Sequence, residues 1–132
     1  MNFLNSKKLR KFRLKGIKVN NKKLYFGSYG LISLETGRID VNIVQALSML
    51  VKRKTRLKKG KFWFSLNTSI PITKIPIGTR MGKGKGSISK YVSFVRKGQI
   101  ICELSLSDRI SAFSILKLIS SKLPVKSRIV VY

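Results

Sequence analysis

Residues 70–87 read IPITKIPIGTRMGKGKGS, eighteen residues between two runs that read as strands, and the rest of the chain is arranged to present them. Pro71 and Pro76 fix their own φ and hold Ile70 and Ile75 out of the helical region, so the segment begins extended. It ends in a tip where Gly78, Gly82, Gly84 and Gly86 remove side-chain bulk. Arg80, Lys83 and Lys85 place fixed positive charge between those glycines, a combination suited to close approach to an anion. Two named phosphate loops do not fit. A Walker loop requires one more residue between Gly78 and Gly82 and a hydroxyl residue where Gly84 stands. A dinucleotide fingerprint requires a third glycine at the position of Ser87. The expectation is a long loop, a finger, standing between two strand-like runs.

Working outward, Ile88 to Val95 and Gln99 to Leu106 predict a hairpin around Arg96-Lys97-Gly98, holding the feet of the finger. Ser107 is placed to cap a helix reaching Leu123, with Ala112, Ile115, Leu116, Ile119 and Leu123 on its inner face and Pro124 ending it. Lys126 to Tyr132 closes the chain as a strand. On the other side of the finger, Lys61 to Asn67 alternates Phe62, Phe64 and Leu66 against Trp63 and Ser65, as a strand does. Trp63 either stacks against nucleic acid or covers a second layer, and of the two the core reading is preferred.

Upstream again, Asp40 stands as the N-cap of a helix from Val41 to Arg56, whose Ile43, Val44, Leu47, Leu50 and Val51 recur at helical spacing. Lys52 to Lys59 is cationic at every position except Thr55 and Leu57. Part of that charge complements the helix C-terminus, and the excess predicts a grip on phosphate. Leu24 to Leu34 predicts a strand interrupted by Gly27 and Gly30, with a bulge or a close backbone approach. Phe26 and Tyr29 either stack on bases or fill the core. Glu35 to Arg38 reads as a turn. Residues 1–23 form a basic arm, cationic at Lys7, Lys8, Arg10, Lys11, Arg13 and Lys15. The predicted fold is therefore α+β: two helices packed on one face of a mostly antiparallel sheet, in one domain over residues 24–132 that carries loop 70–87.

Composition narrows the partners. The chain has 132 residues and is 43% hydrophobic, enough for one core. Its 29 Lys+Arg face only Glu35, Asp40, Glu103 and Asp108, giving a formal charge of +25. Self-repulsion at that density calls for a permanent polyanion. Nucleic acid fits best, ahead of an anionic membrane surface. There is no His and one Cys, Cys102, so Cys/His catalysis and metal clusters have no basis, no cofactor is expected, and Cys102 is read as a small buried hydrophobe. No apolar run is long enough to span a bilayer. An RNA-processing enzyme would need its acid/base work from the four carboxylates, of which Asp40 and Asp108 are already explained by helix starts. Met1 to Ser6 makes no convincing signal or transit peptide.

The run RMGKGKG from Arg80 to Gly86, preceded by PITKIPIGT, resembles the loop of the bacterial and organellar large-subunit ribosomal protein L-sixteen family. KKLRKFRLKG near the start, FGSYGL at Phe26 to Leu31, GKFWF at Gly60 to Phe64 and KLPVKS at Lys122 to Ser127 match in the same order. The resemblance covers almost the whole chain. It implies a non-enzymatic constituent of the large subunit, bound to rRNA beside other large-subunit proteins and not a homo-oligomer. It places the basic arm, Lys52, Arg53, Arg56, Lys58, Lys59 and Lys74 on rRNA. Arg80, Met81, Gly82, Lys83, Gly84, Lys85 and Gly86 would then point toward the peptidyl transferase centre and tRNA. The serine-rich second helix and aromatic-rich strand depart from the family pattern. The bias toward Lys, Ile, Asn and Ser suggests an AT-rich genome and a mitochondrial ribosome, with plastid and bacterial cytoplasm as alternatives.

Overall fold

The computed structural model describes residues 23–132, so the basic arm from Lys7 to Lys15 lies outside the described residues. Strand β1 (Tyr29–Ser33) leads into β2 (Gly37–Asp40), helix α1 (Val41–Thr55) and a short 3-10 turn (Arg56–Lys58). Strands β3 (Lys61–Phe64), β4 (Ile70–Lys74), β5 (Ser87–Val95) and β6 (Ile100–Ser105) follow, then helix α2 (Arg109–Lys122) and β7 (Ser127–Val131). The α+β class is as expected, but the strands form two sheets. One has the order β3-β6-β1-β7 and the other β2-β5-β4, with every pairing antiparallel.

The division into two sheets corrects the predicted hairpin between β5 and β6. Both edges of β5 are already taken, by β2 and β4, so β6 has no place beside it. Gly98, at φ 83°, turns the chain toward the other sheet. Its N–H donates to the Ser33 carbonyl at 2.8 Å, and the Ser33 N–H donates to the Gln99 carbonyl at 2.9 Å. The residues read as a turn at Glu35 to Arg38 are in part strand, because Gly37 and Arg38 pair with Val95 and Phe94. Ladder bonds come from the backbone, so a turn-like composition does not prevent them. A side chain at Gly37 would meet Val125 Cγ1 at 2.3 Å, which is why the position takes glycine.

Helix α2 buries its predicted stripe, and α1 buries Leu47 and Val51 while Ile43, Val44 and Leu50 pack half-buried against the core. Leu47 and Val51 of α1 meet Ala112, Ile115, Leu116 and Ile119 of α2 in one core with Leu31, Ile39, Val95, Cys102 and Leu104. Burial pushes the Cys102 thiol up to about 12, so it remains protonated, as a hydrophobe should. The cap of α2 is Asp108 rather than Ser107: Asp108 keeps an extended backbone and accepts from the Ile110 N–H at 3.1 Å. Asp40 does occupy the N-cap position of α1 but makes no side-chain cap bond. Its carboxylate binds Lys90 Nζ at 2.7 Å, across the second sheet.

Only Tyr29–Ser33 of the predicted Leu24–Leu34 strand is strand. Leu24 to Gly27 runs instead over the outer face of the four-stranded sheet, and the two glycines make that crossing possible. A Cβ on Gly27 would lie 2.7 Å from the Leu104 carbonyl oxygen, and one on Gly30 would lie 2.5 Å from Leu24 Cδ2. Because the obstacle at Gly27 is backbone, it cannot swing aside. Gly27→Ala is expected to destabilise the fold by roughly 1–3 kcal/mol, as overpacking does. A thermal midpoint equal to that of the unsubstituted chain would contradict the close approach.

Candidate nucleic-acid interface

The finger begins as a strand. Ile70–Lys74 pairs with Ser87–Val95, so the loop proper is 75–86 and its feet are β4 and β5. Pro71, which lacks an N–H, is accommodated because β4 is the edge of its sheet. The register skips Ser89 between Ile72 and Thr73, a bulge near the neck of the loop. At the neck itself, a Cβ on Gly86 would sit 2.4 Å from the Lys74 carbonyl oxygen. Only glycine lets the two feet close there.

Beyond the neck the chain makes a turn of its own, in which the Thr79 N–H donates to the Pro76 carbonyl at 3.3 Å. Gly78, Gly82 and Gly84 have φ of 85°, 95° and 78°, the left-handed region that other residues rarely adopt. Among the described residues, nothing lies within 4 Å of where their side chains would start. These three glycines of the tip therefore meet no other described residue, and Arg80, Lys83 and Lys85 are exposed beside them. A concavity there is lined only by the loop's own residues and those of its neck. Ile77 and Met81 are 99% and 100% exposed, an apolar element that the charge pattern alone did not single out for Ile77.

The second cationic group is the end of α1. Lys52, Arg53, Lys54, Arg56, Lys58 and Lys59 are exposed, whereas Thr55 is buried and its hydroxyl donates to the Val51 carbonyl at 3.0 Å. Lys59 turns the chain in the left-handed region at φ 50°. Lys58 faces inward to α2: its Nζ lies 3.4 Å from Asp108 and also contacts the Ser111 hydroxyl. The Ser111 hydroxyl first, and Lys58 after it, holds the Asp108 carboxyl below its ordinary value. A lowered carboxyl stabilises above its unfolded pKa and loses that contribution as pH falls through the folded one, so this tether persists at neutral pH. Lys74 is exposed at the foot of the finger.

The aromatic residues separate differently from the reading of the sequence. Tyr29 packs on the core, with its ring edge-on to Phe113 at 6.0 Å. Trp63 does not join the core. It lies on the face opposite Phe62 and Phe64 and stacks on Phe26, centroids 5.8 Å apart and planes at 29°. The alternation of β3 was legible, but which face met the helices was not.

The four carboxylates are engaged separately. Glu35 accepts from the Lys126 N–H at 2.9 Å, Asp40 pairs with Lys90, and Asp108 caps α2. Glu103 is 1% exposed and accepts from three consecutive backbone N–H groups, a role not foreseen for an acid in the apolar run QIICEL. Among the described residues no group of three His, Cys, Asp or Glu is placed to hold a metal ion.

Comparison with known proteins meets this geometry at the family level. The family model described as ribosomal protein L16p/L10e matches residues 4–130. This chain belongs to the ribosomal protein L16p/L10e family. It is similar to the large ribosomal subunit protein uL16 of Borrelia duttonii (strain Ly), 39% identical over 125 residues, covering 95% of this chain and 90% of the relative. It is also similar to uL16 of Buchnera aphidicola subsp. Cinara cedri (strain Cc), 37% identical over 122 residues, covering 92% and 88%. A third such relative is uL16 of Borreliella burgdorferi (strain ZS7), at 38% over 125 residues. The L16p/L10e match runs through both cationic groups and the finger, and begins within the arm.

The neck makes a direct prediction. Gly86→Ala is expected to splay β4 from β5 at the open end and speed tryptic cleavage at Arg80, Lys83 and Lys85, leaving the thermal midpoint of the core close to that of the parent. Unchanged cleavage would show that the feet close without a glycine.

Proposed function

We propose that this protein is a structural constituent of the large subunit of a bacterial-type ribosome. In this reading it neutralises rRNA phosphates with its arm and the end of α1, and extends its finger toward tRNA near the peptidyl transferase centre. Membership of the L16p/L10e family supports the location, and the observation that carries the mechanism is the finger: exposed cations on a glycine tip. The two-sheet body fixes where each cationic group stands. Each phosphate met by Lys or Arg releases counterions, and that release supplies the affinity. RNA helices hide their base edges in a narrow major groove, so phosphate, ribose and shape are the features read.

The same observations speak against chemistry on the RNA. Each carboxylate holds a separate piece of the fold, so none stands beside another as an acid/base pair. No helix among the described residues is long and apolar enough to cross a membrane. The Lys, Ile, Asn and Ser bias supports a mitochondrial ribosome, while the relatives named above are bacterial. Fractionation of the source cells decides between organelle and bacterial cytoplasm.

Three measurements test the assignment. The protein is expected to sediment with the large subunit and to leave that fraction after ribonuclease digestion; sedimentation unaffected by ribonuclease would overturn rRNA binding. Affinity for rRNA fragments is expected to drop by about 10³-fold or more over a fourfold rise in salt, if some six to ten phosphates are met. Replacing Arg80, Lys83 and Lys85 together with Ala is expected to leave the fold intact and slow translation. Translation at the parent rate in ribosomes carrying that triple variant would remove the finger from the mechanism.

A further inference from the structure

The Leu24 to Gly27 segment, where the basic arm joins the fold, is held by an unusual anchor. Glu103 Oε2 accepts from the N–H groups of Tyr25 at 2.9 Å, Phe26 at 2.7 Å and Gly27 at 3.0 Å. Three convergent donors on one buried carboxylate form a strong, charge-assisted anchor. Its other oxygen, Oε1, is buried without a hydrogen-bond partner among the described residues. Glu103 lies between Trp63 on β3 and Gly30 on β1, directly across from each, so all three share the outer face of the sheet. Gly30 leaves room for Leu24, and Glu103 draws down the backbone that follows.

The result is an exposed aromatic surface on a rigid base. Phe26 is 65% exposed although it stacks on Trp63, and Tyr25 is 77% exposed. Burial elsewhere would be the ordinary fate of such rings. Lys23 and Lys61 are exposed on the same two segments. Flat rings next to fixed cations match the chemistry of an unpaired nucleobase and its phosphate, since every base offers a face for stacking.

We propose that Phe26, stacked on Trp63, forms a shelf that stacks an unpaired RNA base, and that Glu103 is the positioning residue that sets it. The proposal rests on the rRNA-binding reading above and adds to it a base contact, where the finger and α1 supply charge. The shelf lies at the root of the arm, so a base seated there fixes where the arm enters the RNA.

Trp63 is the one tryptophan of the chain, and its fluorescence reports on the shelf directly. The full-length protein is titrated with single-stranded oligoadenylate, with a blunt RNA duplex of equal length, and with inorganic polyphosphate. Oligoadenylate is expected to quench Trp63 and the other two are not; equal quenching by polyphosphate would overturn the proposal. Phe26→Ala is expected to weaken oligoadenylate binding about tenfold, the scale of one stacked base, with Phe26→Tyr restoring it. Because Phe26 is exposed, this variant tests the shelf even if substitutions at Glu103 fail to fold. Glu103→Gln keeps the shape and drops the charge, and severalfold weaker quenching is expected; quenching equal to the parent in a folded Glu103→Gln protein would remove the positioning role. The two readings fail separately. Absence of the parent chain from the large-subunit fraction removes the ribosomal assignment, whereas a flat Trp63 response in a chain that does co-sediment removes the shelf alone.

Discussion

Negative charge is the scarce component of this molecule: four carboxylates stand against 29 Lys and Arg, and the fold depends on where those four go. Asp108 starts α2 and tethers the end of α1 through Lys58, so it joins the two helices at one point. Asp40 connects the start of α1 to β5, the central strand of its sheet, through Lys90. Glu35 receives the backbone just ahead of β7, and Glu103 receives the backbone just ahead of β1. Each is thus used at a junction between elements. With the acids committed to the frame, compensation for the remaining cations has to come from outside the chain, which is the physical content of assigning it to a ribonucleoprotein.

The frame also explains how one small body presents its cations in several directions. The β4–β5 hairpin carries the finger out from one sheet, while the end of α1 passes through Lys59 and Gly60 into β3 of the other. Neither site needs internal rigidity of its own, because each hangs from paired strands. The finger in particular gains its conformation from glycines in left-handed backbone and its direction from the bulge and neck below.

Much of this was legible in the sequence, and the limits have identifiable causes. The stripes of α1 and α2 were readable because helical periodicity depends on side chains that must be buried, and Leu47, Val51, Ile115 and Ile119 are. The glycines of the finger and the close approach at Gly27 and Gly30 were readable because few other reasons place glycine in such settings. Strand pairing was less accessible. β5 and β6 look like neighbours along the chain, yet β5 has both edges filled by strands that the sequence does not mark as its partners. β2 was hidden because its residues suit a turn, and Trp63 was misplaced because alternation gives two faces without saying which is covered. Glu103 gave the weakest signal, since a buried acid differs from an exposed one only through the donors that a distant segment brings to it.

Pro71 carries one consequence of its own. It stands in β4, whose far side has no strand beside it among the described residues, and it removes one donor from the row of backbone groups that side would offer. A newly made chain waiting for its RNA has an open sheet margin on which another extended segment could zip up. The missing rung, together with the irregular spacing next to it, makes that margin a poor template and leaves polyanion as the favoured companion.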